Sequence, residues 1–169
     1  LCESAAAHGA TRLTIYDTNG GADPFAVTEL IGALRRAVPV SLELFFHAHD
    51  DLGLATANTL AAVLAGADGL DATVNGLGDR AGNCALEQIA LLLHLKGFQT
   101  GIALAALREL CGAVAAESGV AVAPLAPVVG ACCFAHKSPA HLDEGATLFE
   151  AYDPALLGIA RTMIQEEGS

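Results

Sequence analysis

His47-Ala-His49 sets two imidazoles two residues apart at the end of an apolar run, Val40-Ser-Leu-Glu-Leu-Phe-Phe46. Side chains alternate faces along a strand, so residues 47 and 49 share a face at roughly 6 to 7 Å, a separation one divalent ion bridges with two ring nitrogens. The spacing alone is a weak signal, and its plain alternative is two unrelated histidines near a surface. A second stretch changes the weighing. Leu70-Asp-Ala-Thr-Val-Asn75 is another apolar run, and it ends in Gly76-Leu-Gly78-Asp79-Arg80-Ala-Gly82-Asn83. The Asn83 amide oxygen can join such an ion, since oxygen ligands beside imidazole suit Mn²⁺, Mg²⁺ or Zn²⁺. Its alternative is the ordinary one for asparagine at this place, the N-cap of the helix that follows.

These residues need strands that end where they stand. Val, Leu and Phe favour extended structure, and in parallel α/β sheets and barrels the loops after the carboxyl ends of strands form the active face. Three strand and helix units can be read. They are Leu13–Asp17 with a helix opened by Asp23-Pro24, Leu42–Phe46 with a helix near 54–65, and Leu70–Val74 with a helix near 84–95. In the last helix Leu86, Ile89, Ala90 and Leu93 form the expected core stripe and Gly97 the stop. His94 lies beside that stripe, where packing or a helix-end dipole contact outweighs ligation. Past Gly97 the alternation gives way to a helix at 104–117, a proline-rich connection and a second capped start at Asp153-Pro154. The division expected is residues 1–100 and 101–169.

Taken together, these motifs resemble the DRE-TIM metallolyase superfamily, which includes isopropylmalate, citramalate and homocitrate synthases and hydroxymethylglutaryl-CoA lyase. The family pairs a strand ending in H-x-H-[DN]-D-x-G with a loop N-G-x-G-[DE]-R-x-G-N; both stand here, at 47–53 and 75–83. Tyr16-Asp17-Thr18-Asn19-Gly20 with Asp23-Pro24-Phe25 is similar to its D-T-x-G and D-P-F segment, and Phe134 to His141 to its F-x-H-x-[SA]-G-I-H segment. Residues 54–63 and 74–78 lie nearest homocitrate synthases of the nitrogen-fixation type. The resemblance implies the carboxyl-terminal part of a TIM (β/α)₈ barrel, about strands 6 to 8, followed by a small mostly helical subdomain. It implies His47, His49 and Asn83 as ligands of a divalent metal, Thr18 as a contact to a substrate carboxylate, and Asp51 and Arg80 as braces behind the ligands. It further implies His141 and Tyr152, eleven residues apart, in proton transfer. The reaction implied is a Claisen condensation of acetyl-CoA with a 2-oxo acid, 2-oxoglutarate first, with release of CoA.

The chain departs from the pattern in places. Gly-Ile before the second histidine is Pro139-Ala140, which restricts the loop presenting His141. Lys137 stands where Glu is frequent. Phe45 stands where many relatives carry Glu, with Glu43 one layer deeper on the same face. A full barrel takes about 250 residues, and this chain of 169 begins at Leu1 without the family's amino-terminal D-x-x-x-R-[DE]-G segment. The expectation is therefore a fragment or one subunit of a split enzyme, inactive until the remaining strands join in cis or from a partner, and a homodimer when complete.

Composition limits the other classes. Apolar residues make up 53% and charged ones 16%, a profile of elements buried by neighbours. Nineteen acidic residues against eight basic give a net charge of −11, which opposes nucleic acid and anionic membranes. The longest uncharged segment, 119–136, is broken by Pro124 and Pro127, so no span is expected and the location expected is cytoplasmic. Five cysteines without C-x-x-C spacing read as reduced thiols. The alternatives carried forward are an isopropylmalate, citramalate or Re-type citrate synthase, a lyase, and a non-catalytic remnant.

Overall fold

The computed structural model describes residues 1–138, 141 and 148–163. The Pro139-Ala140 departure lies outside the described residues. The chain forms two compact units, 1–99 and 100–169.

In the first unit a short helix, α1 (Cys2–Ala7), precedes three parallel strands with helices between them. These are β1 (Arg12–Asp17), α2 (Pro24–Ala37), β2 (Glu43–Ala48), α3 (Ala55–Leu64), β3 (Gly69–Asp71) and α4 (Leu86–Leu95). The sheet order is β1-β2-β3, with Tyr16 opposite His47 and His47 opposite Asp71. The unit is thus an α/β fold on a parallel sheet.

The alternation of β2 decides which side does what. Leu44, Phe46 and Ala48 are buried, and Phe46 and Ala48 pack with Val27 and Ile31 of α2, Ala55 and Ala62 of α3, and Ile89 and Leu93 of α4. Leu44 joins a second cluster with Val38 and Leu42. Glu43, Phe45 and His47 are turned to the opposite face by the two-residue period. On that face Phe45 lies under the Arg12 guanidinium, 4.1 Å from its ring centre, and Arg12 also pairs with Glu43 at 2.8 Å.

Local chemistry sets the ends. Asp23 accepts from the Phe25 and Ala26 amides at 2.8 and 2.9 Å with Pro24 at the first helical position, the expected start. Asp50 accepts from the Ala55 amide at 2.8 Å and opens α3. Gly97, at φ +85°, follows the end of α4.

Two expectations about elements are corrected. The third strand pairs only through Gly69–Asp71, because the chain leaves the sheet for a single 3₁₀ turn at Val74–Gly76 in which Asn75 takes φ +59°. The stripe of α4 is buried as expected at Ile89, Ala90 and Leu93, but Leu86 is only half-buried and Glu87 is buried at 3% exposure. Its Oε2 accepts the Asn75 amide at 3.0 Å, so the carboxylate stabilises that left-handed turn.

The second unit carries α5 (Leu107–Ser118), which follows a 3₁₀ turn at Leu104–Ala106 and ends at Gly119 with φ +73°. A 3₁₀ turn at Pro154–Leu157 is capped by Asp153. A short parallel pair, β4 (Ala135–His136) with β5 (Thr162–Met163), was not expected from the sequence.

Gly69 faces Phe45 so closely that an added Cβ would sit 2.3 Å from its ring. Gly69→Ala is expected to cost about 1–3 kcal/mol by overpacking, with part of the loss recovered when Phe45→Leu is added, as read by urea unfolding.

Candidate active site

The open face of the sheet in the first unit carries His47, with His49 beside it at the strand end. His47 and His49 lie with ring centres 4.9 Å apart. Each is held through Nδ1: His47 donates to the Asp71 carboxylate at 3.1 Å, and His49 to the Asp17 backbone carbonyl at 3.1 Å. A carbonyl and a carboxylate only accept, so Nδ1 is the donor in both rings, and the neutral form of each imidazole has its lone pair on Nε2. Among the described residues neither Nε2 has a hydrogen-bond partner.

Asn83 stands opposite His49 in an antiparallel bridge that lays the 82–85 segment across the strand ends. Its Nδ2 donates to the Leu77 carbonyl at 3.2 Å, whereas its Oδ1 is buried and unpartnered. A buried carbonyl oxygen without a donor costs about 1–3 kcal/mol, a cost that a ligand to this oxygen would offset. Asn83 does not cap α4; Ala85 occupies that place. Among the described residues no group of three or more His, Cys, Asp or Glu side chains is arranged to hold a metal, and the set of two imidazoles and one amide is neutral.

Two glycines of the loop are dictated by close approaches, one to Asn83 and one to the Gly76 backbone. A Cβ on Gly78 would lie 2.4 Å from Asn83 Nδ2, and one on Gly82, at φ +97°, would lie 2.0 Å from the Gly76 carbonyl. Glycine is the residue that permits both approaches.

Arg80 joins the three strand-end loops. Its guanidinium grips Asp51 at 2.7 and 2.8 Å and donates to the Thr18 carbonyl at 3.0 Å. Hydrogen bonding to Arg80 holds the Asp51 carboxyl below its usual range, and the same contact raises Arg80 further. Thr18 is exposed on this side. Cys84, next to Asn83, is buried, and burial pushes its thiol up, which leaves it protonated and unreactive. All five cysteines are free.

In the second unit His141 stacks on Phe149 at 4.1 Å between ring centres and meets His136 edge-on at 5.7 Å. Tyr152 packs edge-on against Phe134 at 5.4 Å. Burial, with the neighbouring Cys133 adding to it, raises the Tyr152 phenol above its ordinary value. The eleven-residue spacing therefore gives each ring a different aromatic partner.

Sequence reasoning missed two features. Asp71, behind His47, was legible only through the register of β2 with β3. The other is a partly buried ion cluster in which Glu150, its side chain 4% exposed, accepts from His136 Nε2 at 3.0 Å and from the exposed Arg161 at 2.7 and 2.9 Å. His94, by contrast, is exposed in the last turn of α4, so core packing is not its use. No described helix is long and apolar enough to cross a membrane.

Residues 1–114 match the HMGL-like family model, and the chain belongs to that family. It is 41% identical over 160 residues to 2-isopropylmalate synthase 2 of Caldanaerobacter subterraneus subsp. tengcongensis, covering 92% of this chain and 41% of that protein. It is likewise 41% identical over 160 residues to a protein of Methanopyrus kandleri assigned as an (R)-citramalate synthase, covering 92% of this chain and 31% of the other. Among solved structures, an HMG-CoA lyase from Acenitobacter baumannii in complex with coenzyme A and 3-methylmalate superposes with a TM-score of 0.65 at 30% identity, over 74% of this chain and 43% of that one. The chain thus spans less than half the length of these relatives.

The Glu150 cluster has a measurable consequence. Burial draws its carboxyl upward, but the hydrogen bonds and charges of Arg161 and His136 outweigh that and leave it below the ordinary value of 4.5. A lowered folded-state value stabilises above the unfolded value and is lost as pH falls through the folded one. Stability of the second unit is therefore expected to fall below about pH 4.5, and Glu150→Gln to remove that dependence. At neutral pH the substitution is expected to lower the thermal midpoint only modestly, because the Arg161 contact reaches water. Thermal unfolding followed from pH 3 to 7 checks both.

Proposed function

We propose that this chain forms strands 6 to 8 and the following subdomain, residues 101–169, of a TIM-barrel acyltransferase that condenses acetyl-CoA with a 2-oxo acid. The single observation that supports the reading is that His47 and His49, ring centres 4.9 Å apart, stand beside an Asn83 that bridges His49 and whose buried Oδ1 has no partner. That donor set fits a divalent cation such as Mn²⁺, Mg²⁺ or Zn²⁺, held by His47, His49 and Asn83. When bound, such an ion supplies Lewis acidity that polarises a ketone and offsets developing alkoxide charge, worth several kcal/mol.

The balanced reaction removes a methyl proton from acetyl-CoA, forms a carbon–carbon bond to the ketone carbon of the acceptor, returns a proton to the ketone oxygen, and consumes one water in hydrolysing the thioester, giving CoA and a hydroxy acid with one more carboxylate than the acceptor. Thr18, exposed at the end of β1, serves to hydrogen-bond the acceptor carboxylate. Asp51 and Arg80 keep the three loops in place so that these groups stay aligned. In the second unit the His141 imidazole is suited to moving a proton near neutral pH, and the Tyr152 phenol, kept protonated by burial, to donating to an oxyanion. These two assignments rest on the motif resemblance.

The acceptor proposed first is a monocarboxylic 2-oxo acid. The relatives are isopropylmalate and citramalate synthases, whose products contain 2-oxoisovalerate and pyruvate as the non-acetyl part, and Arg12 and Arg80 are already committed to Glu43 and Asp51. The wording of residues 54–83 favours 2-oxoglutarate and homocitrate as the second reading. The complete enzyme is read as a cytoplasmic homodimer, its remaining strands supplied in cis or by a partner subunit.

Release of CoA measured with pyruvate, 2-oxoisovalerate, oxaloacetate and 2-oxoglutarate on the complete protein tests the reading. Preference for one of the first two is expected; preference for 2-oxoglutarate selects the second reading, and no turnover with any removes both. In the complete protein His49→Ala is expected to lower activity at least a thousandfold and to remove bound metal, checked by elemental analysis. Residues 1–169 alone are expected to show no turnover in the same assay, since the neutral ligand set lacks a carboxylate.

A further inference from the structure

The two histidines are oriented by different kinds of partner. His49 donates to a backbone carbonyl, which no substitution removes, whereas His47 donates to a side chain, Asp71. Strand register places Tyr16, His47 and Asp71 in one row across β1, β2 and β3. The imidazole lies between the Tyr16 ring, 5.0 Å away, and the carboxylate at 3.1 Å. Asp71 remains 47% exposed. An exposed pair of this kind contributes little to folding, so fold stability does not account for it.

We infer that Asp71 is a positioning residue for His47: its carboxylate fixes the Nδ1 proton and the ring plane, and so aims Nε2 at a bound divalent cation. This rests on the metal reading above. The carboxylate has a second effect, because the three ligands are neutral and a negative charge hydrogen-bonded behind one of them makes that imidazole a stronger donor. Arg12 and Glu43, two rows away, already neutralise each other and supply no such charge.

The test is calorimetric titration of the metal-stripped complete protein with Mn²⁺ alone and with Zn²⁺ alone. Asp71→Ala is expected to weaken binding 10- to 100-fold, the range typical for lost partners of metal-bound histidines, with the thermal midpoint of the metal-free protein unchanged. Asp71→Asn keeps an acceptor without the charge and should fall between Asp71→Ala and the unsubstituted protein. Glu43→Gln removes a negative charge from the same face without touching His47 and should leave affinity within about twofold.

Affinity of Asp71→Ala within twofold of the unsubstituted protein, with His49→Ala abolishing binding, overturns the inference and leaves the metal reading standing. An equal loss in Glu43→Gln also overturns it, by showing a general field rather than a contact. Failure of the unsubstituted protein to bind either ion overturns the metal reading and the inference together. Should Asp71→Ala unfold, Asp71→Asn decides alone: unweakened binding there refutes the contribution of the charge.

Discussion

The face on which β2 turns its side chains governs everything else in the first unit. Phe46 and Ala48 are drawn under the three helices and Leu44 into the neighbouring cluster with Val38 and Leu42, and the two-residue period leaves His47 no choice but the other side. Moving the strand by one residue would put imidazoles into an apolar core and leave Phe45 and His47 where Phe46 and Ala48 belong. Hydrophobic packing on one side thus sets the chemistry on the other. The same logic runs along β1, where Asp17 at the strand end accepts the Gly21 and Ala22 amides through its carboxylate while its carbonyl holds His49.

Much of this was legible in the chain. The apolar run before His47, the Asp-Pro starts and the glycine at 97 are local signals, and local physics settles them. What the sequence concealed depends on contacts between distant residues. The Leu70–Val74 run has the composition of a longer strand, yet a left-handed Asn75 ends it early, and the carboxylate stabilising that residue sits twelve positions away on α4. Periodicity does not count Glu87 in the α4 stripe because it weighs side chains by hydropathy and cannot see a backbone amide seeking an acceptor. Asp71 carries no motif of its own; only register gives it a neighbour.

The second unit shows the same contrast. The spacing from His141 to Tyr152 matches a pattern, but spacing measures chain and not space: His141 stacks on Phe149, while Tyr152 meets Phe134 edge-on. The strongest polar organisation there, Glu150 with His136 and Arg161, joins residues fourteen and eleven positions apart. Opposite charges at such separations occur throughout a chain with nineteen carboxylates, so nothing in their order marks this trio.

The Arg80 contacts bear on how the chain folds. Strand pairing in this unit is parallel throughout, so each pairing must wait for an intervening helix, and Arg80 reaches the Thr18 carbonyl across 62 positions. Contacts that close long loops form late and slow the search. The core can collapse once β2 and its helices meet, but the loops around His47 and His49 acquire their final arrangement only after residues 76–83 have swung back over the strand ends. The arrangement of the strand-end loops is consequently expected to be the last feature the unit gains during folding.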